Sequence, residues 1–274
     1  MVLINGQFSE SLSVQDRGLH YGDGVFETLA IQQRQPLCWD KHYARLKTGC
    51  IRLGLECPPA DLLFSEAAQI YGDTGLSVLK IILTRGQGDR GYRPPDKQNP
   101  LSRILAIYPW PDFPAKNPVA GVRTRFCNTR LGHNPQLAGI KHLNRLEQVL
   151  ARSEWNDPGI AEGLMRDTQN NIIEGTMSNL FIISGNQLIT PDLTGCGIAG
   201  IIRECILDLA EDMGLQTSIT TLTDAKLYTA DEIFLCNSVI GIWPVRQIEH
   251  HAFSPGPWTS KIRQKLIQEK IITQ

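Results

Sequence analysis

An excess of charge of either sign is almost absent from this chain. Its 274 residues hold 27 Lys and Arg against 28 Asp and Glu, a formal net charge of -1. That balance argues against a nucleic-acid or membrane-surface binder, which needs an excess of positive charge. No apolar run approaches the roughly 18 residues of a membrane helix. Residues 1–6 have no basic stretch followed by an apolar one, so no secretory leader is expected and the expected location is the cytoplasm. The seven cysteines are odd in number and scattered, with no Cys-x-x-Cys pair, so reduced thiols packed as small hydrophobes are expected. No His, Cys and Asp group has metal-ligand spacing, which predicts no metal. Internal repeats and low-complexity tracts are missing as well. What remains is ordinary globular composition, with 42% hydrophobic and 20% charged residues. A chain of this length makes one or two domains.

One composition break divides it. Four prolines fall between Tyr108 and Pro118, where neither a helix nor a central strand can continue. The expected organisation is a small α/β domain over 1–108, a linker over 109–118 and a larger domain over 119–274. Strands are expected at 2–4, ending in the Asn5-Gly6 hairpin signal, and at 24–31, 78–84 and 102–108. Asp40 is expected to cap a helix with Tyr43, Leu46, Cys50 and Leu53 inward and Gly54 at its end. A second helix is expected over 59–71. In the second half, strands are expected at 122–127, 164–167, 171–174, 179–183, 187–190 and 232–236. Helices are expected over 142–155, with Leu143, Leu146, Val149 and Leu150 on one face, and over 201–213. Mixed strands and helices without strict βαβ alternation define an α/β or α+β class.

Gly86-Gln87-Gly88-Asp89-Arg90-Gly91 has the G-x-G-x-x-G spacing of a dinucleotide site. Pro94-Pro95 forbids the helix that such a site must open, so the segment reads as a mobile loop with Arg85, Arg90 and Arg93. It is either a solvated loop or a flap that brings a guanidinium to an anionic substrate. Four other segments carry chemistry. Lys141 follows small and apolar residues just before the expected helix, where desolvation and the helix N-terminus would lower its pKa; an ordinary surface lysine is the alternative. Glu174 sits between strands and is followed by small residues, a setting for a carboxylate that faces a flat ring or for a strand-end turn. The glycine-rich stretch 195–200 runs into a helix, either an anion cradle or a plain cap. Asn237 and Ser238 end a buried strand.

Together these segments resemble the fold-type-IV pyridoxal-phosphate (PLP) enzymes, which include branched-chain and D-amino-acid aminotransferases and aminodeoxychorismate lyases. The signature runs from Glu174 through Thr176 and Asn179-Leu180-Phe181 to Leu188-Ile189-Thr190 and Ile198-Ala199-Gly200-Ile201-Ile202-Arg203. The resemblance covers nearly the whole chain, from Asp16-Arg17-Gly18 and the 21–27 stretch to Pro244-Val245. The stretch 131–148 around Lys141 and the 85–92 loop are most similar to the lyase branch. The resemblance implies a two-domain fold with a small N-terminal α/β domain and a larger C-terminal pseudo-barrel domain that binds PLP. It implies Lys141 as the Schiff-base lysine and proton-transfer base, and Glu174 against the pyridine nitrogen. Arg45, Ser238 and the N–H groups of Ile201 and Ile202 would hold the phosphate. Arg90 and Asn237 would bind the substrate carboxylates, Tyr21 and Tyr92 would line the pocket, and Thr28 would protonate the leaving enol. The implied reaction releases 4-aminobenzoate and pyruvate from 4-amino-4-deoxychorismate in folate biosynthesis, in a homodimer. A D-amino-acid or branched-chain aminotransferase of the same family is the alternative.

Overall fold

The computed structural model describes residues 1–72, 75–95 and 100–273. They form two compact units, Met1–Pro111 with Ile140–Asn144, and Asp112–Gly139 with Arg145–Gln274. The first unit is built on a six-stranded antiparallel sheet in the order Gln7–Phe8, Val2–Ile4, Ser102–Pro109, Leu76–Thr84, Gly24–Gln32, Gln35–Pro36. Asn5 and Gly6 both take positive φ, 53° and 82°, as the two-residue hairpin demands. The helices Trp39–Leu53 and Ala60–Ala68 contribute Leu46, Cys50, Leu63 and Ala67 to a core with Leu3, Val25, Leu29, Ile31, Leu79, Ile81 and Leu105. Each fully buried aliphatic side chain there stabilises the fold by about 1.5–3 kcal/mol.

In the second unit the sheet runs Gln216–Thr220, Gln187–Pro191, Asn179–Ser184, Glu232–Asn237, Gly241–Ile248, Val122–Leu131, Ile160–Asp167, Ile172–Gly175, with His251–Ala252 beside Gly241–Ile248. Parallel and antiparallel pairs are mixed. The last strand, Ile172–Gly175, comes back against Asn179–Ser184 and Gln187–Pro191, so the sheet curls into a half-barrel. The helix Ile201–Ala210 buries Ile202, Cys205 and Ile206 as expected. Gln216–Thr220, Gly241–Ile248 and the helix Pro257–Gln268 had no counterpart in the sequence reading.

Four expectations change. The helix Trp39–Leu53 is capped at Cys38, in the left-handed region at φ 53°, and Asp40 lies inside its first turn. The helix expected over 142–155 shrinks to Leu146–Arg152. Lys141 and Leu143 spend their backbone groups on the strand Gly24–Gln32 instead: Phe26 N–H donates to Lys141 C=O at 2.9 Å and Leu143 N–H to Gly24 C=O at 3.0 Å. The expected buried stripe is turned outward, with Leu146, Val149 and Leu150 75%, 60% and 58% exposed. Finally, the proline-rich stretch is no free linker beyond residue 111. Phe113 meets Trp243 edge-on at 5.0 Å between ring centres, and Asn117 is buried.

Candidate active site

In the first unit, residues 140–144 form an extra edge beside the start of the strand Gly24–Gln32, with Val25 bridged to His142. Paired backbones place Lys141 on the same face as Phe26, and its amino group stands 4.5 Å from the centre of the Phe26 ring. The helix N-terminus invoked for Lys141 is not there, because the nearest helix begins at Leu146. Thr28 lies two residues beyond Phe26 on that face, and its cross-strand partner is Lys80. The Lys80 amino group is 5.4 Å from the same ring. Lys80 escaped the sequence reading, although a lysine that interrupts Val78-Leu79-Lys80-Ile81-Ile82 was signal enough.

The opposite face of the strand presents Glu27 to the helix Trp39–Leu53. Arg45 grips its carboxylate in bidentate fashion, Nε to Oε1 at 2.8 Å and Nη2 to Oε2 at 2.6 Å. His42 Nδ1 is 2.6 Å from Oε2. Burial by itself would raise the Glu27 carboxyl, but the charges and hydrogen bonds of Arg45 and His42 outweigh it and hold it at about 2. Burial pushes His42 below its ordinary value. Arg45 is thus a pre-oriented guanidinium.

Tyr21, the last residue of the helix Arg17–Tyr21, meets the 85–92 loop that carries Arg90 and Tyr92. Tyr21 and Tyr92 meet edge-on at 5.5 Å, the Tyr21 hydroxyl accepts from Gly91 N–H at 3.0 Å, and Tyr92 and Arg90 are exposed. Arg85 is not available to a substrate. It is paired with Asp23 and donates to the Leu53 and Gly54 carbonyls. The loop is tied by several hydrogen bonds rather than free.

In the second unit Glu174 is buried, and its Oε2 accepts from Ile198 N–H at 2.8 Å. Gly139, two residues ahead of Lys141 in the chain, donates to Gly197 C=O and accepts from Ala199 N–H. Asn179 donates to Ile198 C=O, and a Cβ on Gly200 would collide with its Oδ1. Gly200 caps the helix Ile201–Ala210 without a side-chain bond, so the first N–H groups of Ile201 and Ile202 are those that an anion takes up. Much of the signature is scaffold. Thr176 and Ser178 hydroxyls both donate to the fully buried Glu162, and Arg203 holds Thr190 Oγ1 and Pro191 C=O. Asn237 is also bonded within the protein. Its amide donates to Met177 C=O, and its Oδ1 accepts from Val239 and Ile240 N–H, so its polar atoms serve the turn that carries Ser238. Among the described residues no three His, Cys, Asp or Glu side chains gather as metal ligands would.

The chain belongs to the class IV amino-transferase family, whose pattern matches residues 24–248. It is a PLP enzyme of fold type IV. It is 34% identical to the aminodeoxychorismate lyase of Vibrio harveyi, over 90% of this chain and 91% of that one. The crystal structure of 4-amino-4-deoxychorismate lyase from Pseudomonas aeruginosa superposes with a TM-score of 0.94 at 44% identity, covering 99% of this chain and all of that one. The D-alanine aminotransferase of Bacillus licheniformis is 28% identical over the whole chain and 98% of its own. The residues present fit PLP. Each unit by itself holds groups of the right chemistry: the first an amine and a held guanidinium, the second a buried carboxylate and a helix N-terminus.

Proposed function

We propose that this enzyme is a lyase that converts 4-amino-4-deoxychorismate to 4-aminobenzoate and pyruvate, a step of folate biosynthesis. The observation that carries the reading is the likeness to the two lyases, at 34% and 44% identity over nearly the whole chain, against 30% to a putative branched-chain-amino-acid aminotransferase and 28% to a D-alanine aminotransferase. Bound PLP supplies an aldehyde that joins the substrate amine and a protonated ring that accepts electron density. Lys141 carries the cofactor and, once released, takes the proton from the amine-bearing carbon as general base. Glu174 keeps the ring nitrogen protonated. Arg45, Ser238 and the N–H groups of Ile201 and Ile202 hold the phosphate.

The substrate is a dicarboxylate, and the first unit offers Arg90 and Lys80 as cations for it. Asn237 of the second unit stays a proposed carboxylate ligand as well, since its amide gives one of its two N–H groups to Met177 C=O. Tyr21 and Tyr92 line the pocket, and the Thr28 hydroxyl delivers the proton to the leaving enol, which becomes pyruvate. The ring becomes aromatic, all atoms of the substrate appear in the two products, and no amino acceptor is consumed. The second, larger unit supplies Glu174, Ser238 and the Ile201 and Ile202 N–H groups, and the first, smaller one supplies Lys141 and Arg45.

The PLP-loaded protein, given 4-amino-4-deoxychorismate alone, is expected to release 4-aminobenzoate and pyruvate in equal amounts. The whole-length likeness to a D-alanine aminotransferase keeps a second reading open, transamination of D- or branched-chain amino acids. No 4-aminobenzoate, with full conversion of the cofactor to its amine form by an amino donor alone, would replace the first reading with the second. The enzyme is also proposed to act in the cytoplasm as a homodimer. The exposed Leu146, Val149 and Leu150 on one short helix support a covered face. Sedimentation velocity at micromolar concentration is expected to give twice the 30.5 kDa chain mass; a monomer would refute the dimer. No helix among the described residues is long and apolar enough to cross a membrane.

A further inference from the structure

In the stretch from Asp16 to Asp23, Tyr21 alone has a part in the chemistry above, yet Asp16, Arg17 and Asp23 are each held by several hydrogen bonds. Asp16 is fully buried. It accepts from the Thr84 hydroxyl at 2.9 Å, the Ser102 hydroxyl at 2.6 Å and the Gly18 N–H at 2.7 Å, and so caps the short helix Arg17–Tyr21. That helix delivers Arg17 to the 85–92 loop. Arg17 is 3% exposed. Its Nε donates to Asp23 Oδ2 at 2.9 Å, its Nη1 to Gly91 C=O at 2.9 Å and its Nη2 to Tyr92 C=O at 3.1 Å. Its guanidinium carbon lies 4.7 Å from the centre of the Tyr21 ring.

The Asp23 carboxylate serves the other foot of the loop too, accepting Arg85 Nε at 2.7 Å and Nη2 at 3.0 Å. One carboxylate therefore ties both feet of the loop, at residue 85 directly and at 91–92 through Arg17. Between them Gly88 N–H donates to Gln15 C=O at 3.1 Å, and a Cβ on Gly88 would stand 2.8 Å from Arg17 Cδ. Arg90 is exposed and precedes the two residues whose carbonyls Arg17 holds.

We propose that Arg17, anchored by Asp23, is the positioning residue of the substrate loop: it fixes the Gly91 and Tyr92 backbone and thereby sets where the Arg90 guanidinium stands before substrate arrives. The proposal rests on the reading of Arg90 as a carboxylate-binding residue. Its physical basis is preorganisation, since a loop already ordered does not lose that freedom on binding. A guanidinium is needed because only its planar fork reaches two carbonyls and a carboxylate at once.

Two variants test it in the PLP-loaded enzyme. Arg17→Met removes the whole fork. Arg17→Lys keeps a positive charge beside Asp23, so the buried carboxylate stays compensated and the fold is guarded. In both, amide hydrogen exchange at Gly88 and Gly91 is expected to accelerate while the rest of the sheet stays protected. The KM for 4-amino-4-deoxychorismate is expected to rise about tenfold, the scale of a lost charged hydrogen bond, with kcat and cofactor absorbance unchanged. Arg90→Ala is expected to raise KM similarly, and Arg17→Lys should then add nothing to it. Unchanged amide exchange in both Arg17 variants overturns the proposal, as does a fall in kcat with KM unchanged. If Arg90→Ala leaves KM unchanged, the Arg90 reading fails, and accelerated exchange still upholds the latch on the loop backbone.

Discussion

Lys141→Ala is expected to lose the near-visible absorbance of the lysine-linked cofactor even with PLP in excess, and to lower kcat by at least about 10³-fold, because one side chain serves as both nucleophile and proton carrier. The geometry makes this test sharp, because a second amine stands close by. Lys80 and Lys141 flank the same Phe26 ring, at 5.4 and 4.5 Å. Lys80 sits in the middle of the sheet, paired opposite Thr28. Lys141 instead belongs to a five-residue edge segment, two residues after Gly139, which is bonded to the 197–199 loop. Borohydride reduction of the loaded protein followed by peptide mass analysis is expected to place the adduct on Lys141. An adduct on Lys80, or on neither, refutes the assignment.

Glu27→Ala is expected to lower stability by about 3–5 kcal/mol, the usual cost of stripping one partner from a buried ion pair. Arg45 and His42 would each lose the carboxylate that they share. The effect has a pH signature. The Glu27 carboxyl sits at about 2 in the folded protein against an ordinary 4.5. A depressed acid contributes its stability above the unfolded value and loses it as the pH falls through the folded one, so about 3 kcal/mol drains away between about pH 4.5 and 2. His42, held down by burial, adds a loss in the same direction that begins below its ordinary value of 6.5. Urea midpoints measured down the acid range are expected to fall more steeply for the wild type than for Glu27→Gln. Parallel curves would show that the network contributes no such coupling.

How much of this was legible in the sequence follows from the range of the interactions. Strands that carry their own turn chemistry, such as 2–4 with Asn5-Gly6, were readable because the signal is local. Helix 142–155 was misread because its apolar spacing is real but faces outward, and because residues 141–143 obey a strand more than 100 positions away. The sites of Lys141, Glu174 and Arg45 came from motif resemblance. Lys80 did not, and Arg17 and Glu27, though inside stretches that carry the resemblance, received no role from it, since each acquires its meaning only from a cross-strand or cross-loop neighbour. Asn237 doubles as a turn residue: its Oδ1 accepts from Val239 and Ile240 N–H, and its amide reaches Met177 C=O, a contact between distant parts of the chain that no local pattern shows.

The placement of residues 140–144 with the first unit has a consequence for birth on the ribosome. That unit's sheet keeps a vacant hydrogen-bonding margin beside Gly24–Phe26 until some thirty further residues have been translated beyond Pro111. A nascent fragment released before then would carry an unsealed strand and no reactive amine at position 141. Completion of the small unit and arrival of the lysine proposed to carry the cofactor are therefore one and the same event.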